Sequence, residues 1–168
     1  MTPSPQMYSS AAIANRFLRI AEREDVPLTP MKIQKLVYIA HGWHLGLYDE
    51  PLCSEIVQAW KWGPVFPDLY HSVKHWGNRP IREPVRDYWD EDEVPPVPDD
   101  DSSESHLIDD VWSIYRGYTG SQLSRLTHAA DTPWDQVVKE RQGRWYPEIS
   151  DGLIDQHYKE MLSAEAAE

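Results

Sequence analysis

The chain has 168 residues, enough for one domain with a real core, and a formal net charge of −12 that argues against non-specific nucleic-acid binding and fits a partner with a basic surface. Its single cysteine, Cys53, excludes an internal disulfide and a cysteine-cluster zinc site. No apolar run approaches the ~18 residues of a membrane helix and no secretion signal opens the chain, so the sequence predicts a soluble, cytoplasmic protein with no membrane contact and no cofactor.

Residues 1–8 read as a flexible tail before one domain spanning 9–162, with 163–168 expected to fray. Ser9 or Ser10 can cap a first helix over roughly Ala11 to Glu24, with Ile13, Phe17, Ile20 and Ala21 at helical spacing. After the turn Asp25-Val26-Pro27-Leu28, Thr29 caps a second helix and Pro30 fits its first position. Ile33, Leu36, Val37, Ala40, Trp43, His44 and Leu47 share one face of it, yet Tyr38, Ile39, Gly42 and Leu45 are apolar elsewhere. A helix apolar nearly all round is a buried one, so Thr29–Leu47 is predicted to be the central post, ending near Gly46. Gly42 is costly inside a helix, and close approach by a neighbouring element is its expected compensation.

Ile56, Gln58 and Trp60 alternate with Val57, Ala59 and Lys61, which predicts a short strand broken by Gly63-Pro64. A third helix follows from Phe66 or Pro67 to Trp76, with Tyr70, Val73 and Trp76 inward and Gly77 as its stop; Arg79-Pro80-Ile81 is a candidate second strand. Residues 90–104 hold Asp90, Glu91, Asp92, Glu93, Asp99, Asp100, Asp101 and Glu104 around three prolines. Such a segment is either a flexible solvating insertion or an electrostatic arm. Four more helices are expected. One carries Leu107, Val111, Ile114 and Tyr115. The next, capped by Thr119 or Ser121, turns Leu123 and Leu126 inward. Another starts at Pro133 with Trp134 and Val137 inward. The last, capped by Ser150, carries Leu153, Ile154, His157, Tyr158 and Met161. The fold class is therefore a predominantly α-helical α+β domain of about seven helices with a small antiparallel β element.

Three blocks carry a family pattern: LTPMKIQKLVYIAHGWHL from Leu28, IVQAWKWGPVFPDLYHSVKHWGNRPI from Ile56, and LSRLTHAADTPWDQV from Leu123. Together they resemble the Panacea domain family, which includes SocA-like and phage-associated GepA-like antitoxins. The resemblance covers roughly residues 10 to 160 and is most specific in its AWxxGPV and TH…PW elements. It implies a mostly helical antitoxin that neutralises a cognate toxin encoded beside it, or a proteolytic adaptor that presents a toxin to a ClpXP-type protease. It implies no catalytic residues. The matching positions are Lys32, Lys35, Leu36, Tyr38, Gly42, Trp43, Trp60, Gly63, Pro64, Tyr70, Thr127, His128 and Trp134.

The rival chemistry is a metal site. His41 and His44 lie three apart on the central helix and His71 and His75 four apart on the third, spacings that let imidazoles share a zinc ion in a metal-dependent hydrolase. No HExxH-like motif places a general base beside either pair, and structural or surface histidines are the favoured reading. Cys53 and the serines lack a nucleophile elbow. The lysines Lys32 and Lys35 sit on an apolar helix, where they snorkel, pair with a carboxylate such as Glu55, or meet a partner. Eight Trp and nine Tyr against two Phe favour side chains with a polar tip, suited to interfaces as well as cores. Trp60, Trp62, Phe66, Tyr70 and Trp76, with Trp89 beside them, exceed what a short strand and helix need to pack. Part of this cluster, together with Lys32 and Lys35, is the candidate partner-binding surface.

Overall fold

The computed structural model describes residues 7–166. The N-terminal tail assigned to 1–8 lies mostly outside them. Tyr8 itself bridges to Cys53, donating its N–H to the Leu52 carbonyl and accepting from Ser54 N–H, both at 2.9 Å.

Helix α1 (Ser10–Glu24) begins where the Ser9 side chain accepts from Ala12 N–H, and it stops at Asp25, which adopts the left-handed conformation. Helix α2 (Pro30–Tyr48) is capped by the Thr29 hydroxyl and ends at Asp49, also left-handed. It runs two residues past the sequence-based stop, because Gly46 is buried within it and Asp49 supplies the terminating turn. Residues 32–42 of α2 are buried without interruption. Around it pack α1, a short helix α3 (Pro67–Val73) that tightens into one 3-10 turn (Lys74–Trp76), and three later helices. These are α4 (Ser103–Tyr115), α5 (Gly120–Thr127) and α7 (Asp151–Ala166), while α6 (Pro133–Lys139) packs on α7 and the small sheet. The last helix continues to the end of the described residues.

The central helix and α7 meet at the glycines. A Cβ on Gly42 would come within 2.1 Å of the Tyr158 ring, and one on Gly46 within 2.9 Å of the Tyr158 Cβ. The aromatic ring fills the groove that the missing side chains leave, which is the compensation expected of Gly42.

A three-stranded antiparallel sheet, in the order β2-β1-β3, is built from β1 (Val57–Trp60), β2 (Gly63–Val65) and β3 (Glu148–Ile149). The alternation seen in β1 is real: Val57 and Ala59 are buried while Ile56 is exposed. Its partners differ from the sequence reading. Gly63-Pro64 does not break the sheet but turns back to form β2, with Trp60 opposite Gly63 and Ala59 opposite Pro64. Pro64 is tolerated because β2 is an edge strand. Arg79–Ile81 is not a strand; Ile81 N–H makes a single backbone bond to the Leu28 carbonyl at 2.8 Å.

Helix phase also differs at several places, and Leu47 at the end of α2 and Met161 in α7 are exposed. Leu69, not Tyr70, joins Val73 on the inner face of α3. Ile108 and Trp112 join Leu107 and Val111 inside α4, whereas Ile114 is exposed. Leu123 is buried in α5 but Leu126 is not.

The long connection from Gly77 to Ser102 is pinned at intervals. Asn15 forms a two-bond clamp on Val85, through Nδ2 to the carbonyl at 2.9 Å and from the N–H to Oδ1 at 2.6 Å. The buried Arg16 guanidinium pairs with Asp100 at 2.9 Å and Asp109 at 3.1 Å. A buried cation so paired holds an acidic segment against α1.

Candidate functional site

The β1–β2 hairpin is held from three sides by the blocks that the sequence singled out. Lys35 on α2 donates to the Pro64 carbonyl at 2.8 Å, Ser124 on α5 to the Trp62 carbonyl at 2.5 Å, and Trp134 on α6 to the Trp60 carbonyl at 2.7 Å. Gln34 adds a two-bond clamp on Phe66, through Nε2 to the carbonyl at 3.2 Å and from the N–H to Oε1 at 3.0 Å. Gly63 closes the arrangement: its φ is +117°, and a Cβ there would lie 3.0 Å from the Lys35 Nζ and 3.2 Å from the Thr127 hydroxyl. Only glycine meets both the backbone and the space requirement without strain.

What the clamped hairpin presents is aromatic. Trp60 lies edge-on to Tyr70 (ring centroids 4.8 Å apart) and tilted against Tyr146 (4.9 Å). Tyr70 contacts His71 at 5.4 Å, His71 stacks on Tyr88 at 5.3 Å, and Tyr88 meets Trp89 at 4.9 Å. Six rings thus form a continuous ribbon from the loop before β3, across β1 and α3, to the connection after α3. Four of its rings are open to solvent, Tyr70 and Tyr88 by about two-fifths, Tyr146 by half and Trp89 by 81%, while Trp60 and His71 are half-buried. Monomeric surfaces seldom leave contiguous aromatic groups uncovered, and such groups mark interaction sites. The neighbouring Trp145 is 88% exposed, and Tyr146 reaches Trp60 from a left-handed backbone with φ 52°.

The candidate residues therefore separate. Trp60 and Tyr70 are in the ribbon. Phe66 is fully buried, edge-on to the His41 ring at 5.4 Å, and belongs to the core. Trp62 is exposed at the hairpin turn beneath the Lys61 amine, and Trp76 is half-buried under the Arg79 guanidinium, its ring tilted against His75. Lys32 and Lys35 are buried and pair with carbonyls instead of a carboxylate. Lys32 donates to the Arg116 carbonyl at 2.6 Å and lies over Trp112, while Glu55 accepts from Ser10. Burial lowers the Lys35 amine to about 7 and, with the Arg116 charge, lowers Lys32 as well. Tyr88 and Tyr146 had no signal in the sequence beyond their residue type, since each lies in a segment without periodicity.

The histidine pairs do not converge. His41 Nδ1 accepts from Cys53 N–H at 3.2 Å, which fixes the tautomer that donates Nε2–H to Asp151 at 2.8 Å. His44 is bonded to the Glu50 carbonyl at 2.5 Å, and His71 belongs to the ribbon. Among the described residues no three His, Cys, Asp or Glu side chains are grouped as metal ligands. Burial pushes the Cys53 thiol well above its ordinary value, which leaves it a packed, unreactive group. A groove of about 540 Å³ lies between α1, the 80–84 segment and Val94–Val97, lined by both acids and bases and by none of the candidate residues. Among the described residues no helix is long and apolar enough to cross a membrane.

Comparison with known proteins points one way. The family described as "Antitoxin SocA-like, Panacea domain" matches residues 33–135, the span that holds the hairpin and the side chains of α2, α5 and α6 that anchor it. Antitoxin SocA of Caulobacter vibrioides (strain NA1000 / CB15N) is 33% identical over 143 residues, covering 82% of this chain and 74% of that protein. No solved structure matches. The chain belongs to the SocA-like Panacea domain family.

Proposed function

We propose that this protein is an antitoxin that neutralises a toxin protein by direct binding, with the ribbon from Tyr146 to Trp89 as its contact surface and no catalysis of its own. The ribbon carries this reading. It is a chain of Trp, Tyr and His rings, with Tyr146, Tyr70, Tyr88 and Trp89 exposed, that passes through Trp60 on a hairpin fixed by three side-chain anchors. Such rings give large contact area for little lost side-chain freedom, and preorganisation lowers the cost of association. Family membership supports a toxin as the partner, since the relative from Caulobacter vibrioides is itself named an antitoxin. A toxin encoded beside this gene is the first partner to try.

The test is co-expression with the product of the adjacent gene, in cells with and without a ClpXP-type protease. Restored growth in both backgrounds, with a complex that co-purifies, supports direct neutralisation. Rescue confined to cells with the protease would assign the adaptor role instead. Growth arrest without rescue in either background would overturn the antitoxin reading.

A further inference from the structure

The ribbon ends in a corner whose chemistry selects a ligand. Tyr88 and Trp89 meet nearly at right angles, at an interplanar angle of 74°, and Tyr88 also stacks on His71 at 30°. Two carboxylates fix the corner. Asp68 Oδ2 accepts the Trp89 indole N–H at 3.2 Å, and Asp87 Oδ1 accepts the Trp89 backbone N–H at 2.9 Å. The second oxygen of each carboxylate has no hydrogen bond, and neither group has an ion-pair partner, among the described residues. Arg86, next to Asp87 in sequence, donates to the Glu91 carbonyl at 3.2 Å, and the Lys74 amine lies against His71 at 3.4 Å. Glu55 senses the excess negative charge, since burial raises its pKa and the charges of Asp68 and Asp87 raise it further, against the Ser10 hydrogen bonds.

We propose that the Tyr88–Trp89 corner, with Asp68 and Asp87, is a receptor for an arginine side chain on a basic segment of the partner protein. The identity of that partner rests on the antitoxin reading; the chemistry of the corner does not. A guanidinium stacks on an aromatic face and simultaneously donates to carboxylate oxygens, a combination that a lysine ammonium meets less well. The net charge of −12 draws such a segment in and repels acidic ones. Tyr70 and Trp60, continuing from the corner, supply apolar area beside the charge site.

The probe is a short fluorescent peptide of alternating arginine and serine, titrated against the full chain by polarisation, with lysine and glutamate counterparts. Trp89→Ala and the pair Asp68→Asn/Asp87→Asn are each expected to weaken arginine-peptide binding by about tenfold. The pair Asp99→Asn/Asp101→Asn removes the same charge elsewhere and should change it by less than about twofold. The lysine peptide should bind more weakly and the glutamate peptide not at all. Trp89 is exposed, so its variant keeps the fold, and circular dichroism verifies this for each protein.

Absence of saturable arginine-peptide binding, or equal losses in both acidic pairs, would overturn the proposal. So would self-association of the native chain that Trp89→Ala abolishes, which would make a second copy the occupant. Peptide binding that depends on Trp89 alongside failed growth rescue leaves the corner assigned and removes the toxin reading. Rescue with Trp89-insensitive peptide binding does the reverse.

Discussion

Trp134 donates its indole N–H to the carbonyl oxygen of Trp60 at 2.7 Å, joining the first turn of α6 to the end of β1 across 74 residues of sequence. The two residues stand in the two most specific elements of the family pattern, and the bond states what that pattern is for. Lys35 and Ser124 add bonds to Pro64 and Trp62, so three helices grip one hairpin by its backbone. Backbone carbonyls are gripped, which leaves the Trp60 and Trp62 side chains at the surface while Val57, Ala59 and Val65 stay buried. Trp134→Phe keeps an aromatic ring but removes the donor together with the pyrrole half of the indole. It should cost about 1–2 kcal/mol in denaturant unfolding, the penalty for a partly buried carbonyl left without its partner.

Gly42 offers a case in which two effects oppose. Helix propensity alone makes Gly42→Ala stabilising by about 1 kcal/mol. The new methyl, however, would fall inside the Tyr158 ring, and the overpacking penalty is about 1–3 kcal/mol or more. Packing wins at a contact of 2.1 Å, so the variant should be net destabilised. A midpoint in urea equal to or above that of the native protein would show that α7 can move away.

The degree to which this fold could be read in advance follows the range of the forces. Helix caps are local, and Ser9, Thr29, Thr119 and Ser150 all accept the expected backbone N–H bonds. Burial of α2 follows from its apolar residues alone. Strand pairing is non-local: β3 is two residues long and carries no periodicity, and Gly63-Pro64 reads as a breaker until a turn returns it to β1. The ribbon was half visible. Trp60 and Tyr70 stood in a recognisable block, but Tyr88 and Tyr146 join them through loops whose course no sequence period records. Phe66 stood in the same block and points the other way, because Gln34 fixes its backbone with the side chain toward His41.

Lys35 makes stability depend on pH in a defined direction. Its amine is lowered to about 7 in the folded protein from an ordinary value near 10.5, so between those limits the unfolded chain binds the extra proton. Stability should therefore rise with pH above about 7, with an upper bound of roughly 4–5 kcal/mol over the full window. Above about 9 the raised Cys53 thiol, and then Tyr38 and Tyr158, act in the opposite direction, since the folded state keeps protons that the unfolded chain loses. The clean interval is pH 7 to about 9. Lys35→Met should flatten the profile there. It should also raise stability at pH 6, because desolvating the ammonium costs more than its bond to Pro64 returns. Parallel profiles for the two proteins would contradict the assignment.

Phe66 and Tyr70 lie four residues apart and should separate stability from recognition. Phe66→Ala empties a fully buried site and should cost about 3–5 kcal/mol. Tyr70→Ala removes a ring that is 40% exposed and should cost less than about 1.5 kcal/mol, seen as a small change in thermal midpoint.

The most direct measurement is the affinity of the purified toxin for the native protein and for the double variant Tyr70→Ala/Tyr88→Ala, by calorimetry on proteins whose circular dichroism matches. If the ribbon is the recognition surface, the double variant loses at least about 2.7 kcal/mol, a hundredfold in Kd, and no longer restores growth. An unchanged Kd with the fold intact would contradict the account and move the interface away from the Trp60 hairpin.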